Sequence, residues 1–457
     1  MYSKLFRSFI FPLMELSQGT KIQKYLKWLE KTQWWKPSEI KELQNKKLRA
    51  LIRHAYENVP YYHKLFRKLN LKPDDIKREE DLRKLPILRK EDIRKNFSEL
   101  LARDFKRWKP KLNATSGSTG EPLKYYITMD SISIGWASGF RAWGWAGYKL
   151  GDKYAMLGGS SLVPKNITLK KRIRYFFERV LPLTSLYMTG EKMREYARKL
   201  EEFKPKFIRG YPSALFILAK YLHENDYNDI RPRAVFTTAE TLLPYQRKVI
   251  EDVFGCDVYD GYGCRDGNAN AMECVEHTGY HIAAEQVIME FVSMKDGEHV
   301  SPGEMGEIIA TDLHNYAMPF IRYAVEDVAV PSDEICPCGR GLPLLKSIEG
   351  RVFDIIKLKD GTMLSGVPIT GELDDIESVK QYQIIQESKD EMIVKIVKEK
   401  SYTEEDTKRI LRMLRERVGE EMKIEIEFVD EIPATGAGKR RYIISKMTTN
   451  KYSNIVR

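Results

Sequence analysis

The segment Asn113-Ala-Thr-Ser-Gly-Ser-Thr-Gly-Glu-Pro-Leu-Lys124 sets Thr115, Ser116, Ser118 and Thr119 around Gly117 and Gly120 and closes on Lys124. Glycines let successive backbone N–H groups turn toward one point, and hydroxyls and an ammonium add further donors. That set suits a polyphosphate or another multiply charged oxyanion. It is not a Walker A loop, because G-x-x-x-x-G-K-[ST] cannot be laid on it. Taken alone, it reads equally well as a solvated Ser/Gly turn between strands.

More polar groups follow the ends of apolar runs. They are Thr238-Ala239-Glu240, Tyr262-Gly263-Cys264-Arg265-Asp266 with Asp260 just before it, Asp327, Gly350-Arg351, and Lys439 in the Gly-rich tail Ile432 to Arg441. An aromatic ring at Tyr262 can stack on a base, and Asp327 can accept from both hydroxyls of a ribose. Asp266 offers hard oxygen ligands to Mg²⁺ beside phosphates. Lys439 carries a compact charge suited to a phosphate or a developing oxyanion. Each group taken singly reads as a capped turn or a surface pair.

These residues need elements to hold them. Residues 1–110 read as helical and basic, with apolar residues at three- and four-residue spacing over Lys21 to Leu29 and Pro37 to Val59. From 113 to about 350 short apolar runs alternate with helical stretches. Tyr154 to Gly158, Phe207 to Tyr211, Ala234 to Ala239 and Val258 to Tyr262 read as strands that end in loops. That alternation predicts an α/β sheet with its ligand sites at the strand ends. Beyond Arg351 the pattern becomes strand, strand, helix, strand, with Ile410, Leu411, Leu414 and Val418 at helical spacing.

The chain has 457 residues, 42% hydrophobic and 31% charged, with net charge +11. This is enough for roughly two to four domains with packed cores. The positive balance favours anionic ligands or surfaces. No apolar run reaches the roughly 18 residues of a membrane span. Leu5 to Met14 is short and charged and lacks a small-residue cleavage site, which argues against a signal peptide. An amphipathic contact with a membrane surface stays open for that segment. Five cysteines without a secretion signal fit a reducing cytoplasm.

In order along the chain, these motifs resemble those of the adenylate-forming superfamily of acyl-CoA synthetases, adenylation domains and luciferases. The resemblance is nearest to the phenylacetate–CoA ligase branch, in its CapK-like capsular polysaccharide subgroup, and covers nearly the whole chain. Asn58-Val-Pro-Tyr-Tyr62, Leu85-Pro-Ile-Leu-Arg-Lys-Glu-Asp92, Gly210-Tyr-Pro-Ser-Ala214, Glu273-Cys274 with Gly279-Tyr-His281, and Gln381 to Gln386 add to it. The resemblance implies an α/β fold of the adenylate-forming type. A large domain over 1–351 would comprise a helical part (1–110), a nucleotide-binding α/β core (111–290) and a β-rich part (291–351). A small mobile α+β domain would span 352–457.

It also implies roles. Thr115 to Lys124 would be the phosphate loop, Thr238-Ala239-Glu240 the adenine-site segment, Tyr262 the stacking ring and Asp327 the ribose acid. Asp266 falls where the family has a Mg²⁺-associated Glu, and Arg265 where it has Thr. Val325-Glu326 replaces the family's Thr-Gly. Gly350-Arg351 falls at the hinge; where the family often has an acid, two residues after that Arg, this chain has Phe353, with Asp354 next. Lys439 falls on the catalytic lysine. Pocket walls would come from 135–147 and 210–214. The implied cofactors are ATP and Mg²⁺, with CoA or an amine or hydroxyl as acceptor.

A second donor set is separate from these motifs. Cys336-Pro-Cys338, Cys274 and one histidine would complete a closed tetrahedral zinc site, which the resemblance supports for some members of this branch. Cys274-x-x-His277 has chelating spacing, and His281 competes for the fourth place. Two other readings remain. A degenerate homologue that binds nucleotide or glycan without turnover is motivated by Asp266, Val325-Glu326 and Phe353. A zinc-containing nucleic-acid binder is motivated by the charge, but aromatic–basic interleaving on a sheet is absent, so no nucleic acid is expected.

Overall fold

The computed structural model describes residues 2–115, 122–160, 162–164, 166–186, 188–352, 355–364, 369, 373, 376–433 and 440–448. Ser116 to Gly120, Phe353, Asp354 and Lys439 lie outside the described residues.

Five parallel strands form the first sheet, in the order Val180–Thr184, Tyr154–Gly158, Phe207–Gly210, Ala234–Thr237, Val258–Tyr259. Ala234–Thr237 is buried at every position. An apolar run without alternation is what a strand covered on both faces requires. Helices Met129–Trp145, Gly190–Phe203, Pro212–Glu224 and Pro244–Phe254 lie between these strands or before them. Thr128, Thr189 and Thr168 cap helices by accepting from the backbone N–H three residues on.

Seven strands form the second sheet, in the order Val287–Val292, Gly306–Asp312, Tyr323–Ser332, Leu344–Arg351, Tyr280–Ile282, Ala269–Glu273, Gly261–Cys264. It is antiparallel throughout. This corrects the expected internal division at 290: the β-rich part begins at Gly261, because strands from both sides of 290 share one hydrogen-bonded ladder. The N-terminal helix Pro37–Asn58 packs Leu48, Leu51, Ile52 and Ala55 into the core of this sheet.

The C-terminal residues have a core of their own, with Tyr382, Ile384, Val394, Ile396, Ile410 and Leu414 at its centre. Its sheet runs Lys423–Phe428, Glu391–Lys398, Val379–Gln386, Ile443–Ser445. Thr403 and Asp406 form a capping box at the start of helix Glu404–Val418, so its first turn is set by local chemistry. No helix among the described residues is long and apolar enough to cross a membrane.

Candidate active site

The parallel strands Phe207–Gly210 and Ala234–Thr237 deliver their polar successors at one edge. Thr238 N donates to Gly210 O (3.2 Å). Ala239 then takes φ +72°, a left-handed conformation that an L residue adopts at a cost. That turn places Glu240 where its carboxylate accepts from Ser213 N (3.1 Å) and from Arg440 N (3.2 Å). Arg440 follows Lys439 directly, so the C-terminal tail meets the Thr-Ala-Glu segment.

Tyr262 rises from strand Gly261–Cys264, and its hydroxyl donates to Asp327 Oδ2 (2.8 Å). Asp327 is opposite Arg351 across the ladder, and the guanidinium Nε lies 3.7 Å from Oδ1. Burial raises the Asp327 carboxyl above the usual range, and Arg351 opposes that shift. Burial, and then the Asp327 charge, lifts the Tyr262 phenol well above its ordinary value. It therefore stays a donor. Glu326, just before Asp327, also adopts positive φ (+65°) and pairs with Lys90. Leu88 bonds to the same strand through Arg322 O (2.8 Å) and Ala324 N (3.0 Å). The Leu85 to Asp92 motif thus braces the segment that presents Asp327.

Asp266 lies at the end of the Tyr262 strand. Its carboxylate accepts from the Tyr323 hydroxyl (2.5 Å) and from Cys264 Sγ (3.2 Å). Each oxygen keeps a further lone pair, so the group fits a Mg²⁺ ligand beside a polyphosphate. Gly263 and Arg265 are exposed on the same hairpin. Thr115 and Lys124 flank the phosphate-loop segment: Leu123 N donates to Thr115 Oγ1 (2.9 Å), and Lys124 begins the strand Lys124–Ile127.

Two expectations need correction. Asp260 does not present a free carboxylate. Its oxygens accept from the Thr237 hydroxyl and from the Tyr280 hydroxyl (2.8 Å), and its N–H donates to Glu273. It joins the two sheets instead. His277 does not join the cysteine side chains through its ring, although its N–H donates to Cys274 O (3.2 Å). It sits in a turn at φ +50°, with Nδ1 3.2 Å from Glu273 and its ring 4.9 Å from Tyr259.

The donors that do converge are Cys274, His281, Cys336 and Cys338, whose ligand atoms all lie within 4.8 Å of one another. Cys274 Sγ is 3.6 Å from Cys336 Sγ, and Cys338 Sγ is 3.3 Å from His281 Nε2. Ligands at zinc bond lengths in a tetrahedron stand about 3.5–3.8 Å apart, so this set fits Zn²⁺ with little adjustment. Burial lowers His281 to about 4, which keeps the imidazole in its ligating neutral form. Zinc here would tie strands to a loop and supply no chemistry to the Tyr262–Asp327 site.

Arg209 is a functional candidate that motif spacing does not signal. Its guanidinium is half-buried, 5.0 Å from the Trp143 ring, and faces Tyr154 and Tyr211. No acid among the described residues pairs with it. An unbalanced arginine in an apolar run was the available clue.

Comparison with known proteins fits this geometry. Residues 356–446 match the family model of the CapK C-terminal domain. Protein CapK of Staphylococcus aureus is 26% identical over 90% of this chain and 90% of its own length. Phenylacetate–coenzyme A ligase of Escherichia coli K12 is 31% identical over 70% of this chain and 73% of its own length. The chain belongs to the phenylacetate–CoA ligase family. As a member it is an AMP-forming acyl ligase of the CapK-like branch. The family fold extends to solved structures. A 2-hydroxyisobutyryl-CoA ligase in its postadenylation state, bound to an acyl-AMP, superposes with TM-score 0.74 at 19% identity, covering 91% of both chains. The same ligase in its thioesterification state, with acyl-AMP and CoA, gives 0.61 at 20% identity and the same coverage.

Proposed function

We propose that this chain activates a carboxylic acid with ATP and passes the acyl group to CoA, or to an amine or hydroxyl of a glycan precursor. The carboxylate oxygen attacks the α-phosphorus, its bond to pyrophosphate breaks, and an acyl-adenylate forms. The acceptor then attacks the carbonyl carbon and AMP leaves. The observation that carries this reading is the half-buried Tyr262–Asp327–Arg351 cluster with the Asp266 charge beside it, where motifs converge from separate strands. Asp327 would take the ribose hydroxyls, Tyr262 the base, and Thr115 to Lys124 the β- and γ-phosphates. Asp266 would hold Mg²⁺, which neutralises phosphate charge when bound. Lys439 would stabilise charge developing at the α-phosphate.

The large domain would end near Arg351 and the small domain would begin at 352, turning about 353–354 between the half-reactions. Arg209 favours acids that carry a second anionic group, since it would otherwise face the pocket walls at 135–147 and 210–214 without a counter-charge. Lys439 and the full phosphate loop are retained in the sequence, which favours turnover over the binding-only reading.

The test is pyrophosphate release from ATP across aryl acids, amino acids, sugar acids and dicarboxylic acids. One class should respond, and Lys439→Ala should lower ATP–pyrophosphate exchange by about 10²–10³-fold while ATP still binds. Near-normal exchange in that variant rejects the role of Lys439. Silence across every class with ATP bound favours the binding-only reading.

A further inference from the structure

Exposed large apolar side chains gather on two helical segments that touch each other. In the N-terminal segment Leu5 is 50% exposed, Phe9 65%, Leu13 68% and Leu16 82%. In helix Leu169–Glu178, Leu169 is 74% exposed, Ile173 50% and Phe176 77%. Spacings of three and four residues put each set on one stripe. The opposite faces are held down. Phe6 and Phe11 are buried, and the π-turn Phe6–Ile10 brings them to one side with ring centroids 5.5 Å apart. Tyr175 is buried beneath the second helix. The Tyr2 hydroxyl donates to Phe177 O (2.6 Å), Arg179 lies 4.8 Å over the Tyr2 ring, and Arg174 donates to Gln18 (3.1 Å). The two segments therefore lie side by side.

Charge tells what covers it. Lys4, Arg7, Lys170, Lys171 and Arg172 border the stripes. The only acids in 2–18 and 169–179 are Glu15 and Glu178. Glu15 accepts from Ile22 and Gln23 N–H, and Glu178 from Arg174 (2.8 Å). An apolar patch this exposed marks an interaction site. A second copy docked face to face would set these cations against themselves. An anionic lipid surface satisfies both the apolar stripe and the basic border, and no helix among the described residues is long and apolar enough to span it. We propose that this face docks on a membrane bearing anionic lipids, with the helices lying in the headgroup plane.

The test sediments the full chain with vesicles of phosphatidylcholine alone or with phosphatidylglycerol added. Binding should be about tenfold weaker without phosphatidylglycerol and decline as salt rises. Phe9→Ser, Leu13→Ser and Phe176→Ser combined should weaken binding by about tenfold or more. Lys170→Glu with Arg172→Glu should do the same, and neither variant should alter circular dichroism or Tm, since every changed side chain lies on the surface. A wild-type chain that stays in the supernatant overturns the proposal. So does an apolar variant that binds as wild type does, or a lipid-free dimer that the same variant dissociates.

Discussion

Tyr262 and Asp327 hold each other in the protonation states the site needs. Burial disfavours both charged forms, and the phenol donates to the carboxylate while Arg351 supplies the nearest positive charge. Tyr262→Phe keeps the ring for stacking and removes only that bond. A hydrogen bond to a charged acceptor contributes about 1.5–3 kcal/mol, so ATP affinity by calorimetry should fall by roughly 10- to 150-fold. Unchanged affinity would show that the bond does not order the site. His314 presents a different electrostatic constraint. Its Nε2 faces the Lys47 ammonium at 2.8 Å, and burial, then Lys47, lowers its pKa from 6.5 to about 3. The unfolded chain therefore binds the proton more readily. The neutral imidazole's contribution is complete above pH 6.5 and declines as pH falls toward about 3. His314→Gln can still accept from Lys47. It should remove up to about 3 kcal/mol of the stability lost between pH 7 and pH 4, read by denaturant titration.

Between elements, the cysteine cluster links the ends of Ala269–Glu273 and Tyr280–Ile282 to the loop at Cys336. That loop is fastened further. Arg340 lies 4.6 Å over the Trp145 ring and 4.8 Å over Trp34, and Gly341 N donates to Gln33 O (3.1 Å). A Cβ at Gly341 would stand 1.9 Å from the Trp35 carbonyl oxygen, so only glycine admits this approach. Purified protein should contain about one zinc per chain, and chelation should lower Tm by several degrees. Elemental analysis separates the histidines: His281→Ala should lose the metal and His277→Ala should retain it. The reverse result would return the fourth position to His277.

Across the whole molecule, the C-terminal residues meet the large part at Glu240 and Gln246. Arg440 N reaches Glu240, and the Tyr442 hydroxyl accepts from Gln246 Nε2 (3.2 Å). Gln246→Ala should weaken this arrangement by about 1 kcal/mol. Acyl-AMP formation should then slow severalfold, while thioester formation from supplied acyl-AMP should not. Equal slowing of both half-reactions would mean the contact does not discriminate between them.

The order of the motifs and the apolar periods determined the fold class and the family from sequence. Strand and helix signals are local: Thr403 with Asp406, the apolar run Ala234 to Thr237, and glycines at turns act within a few residues. Cys336 and Cys338 were legible for the same reason, since Cys-Pro-Cys is a local chelate. Which histidine joins them was not, because strand pairing at Tyr280–Ile282 turns His281 toward the cysteines while a left-handed turn at His277 points that ring at Glu273. Likewise Asp260 and Asp327 read alike as acids after apolar runs. Tertiary packing gives Asp260 two internal hydroxyls and leaves Asp327 facing Tyr262 and Arg351. Spacing fixes where a side chain starts, and its partners are set by contacts tens to hundreds of residues away.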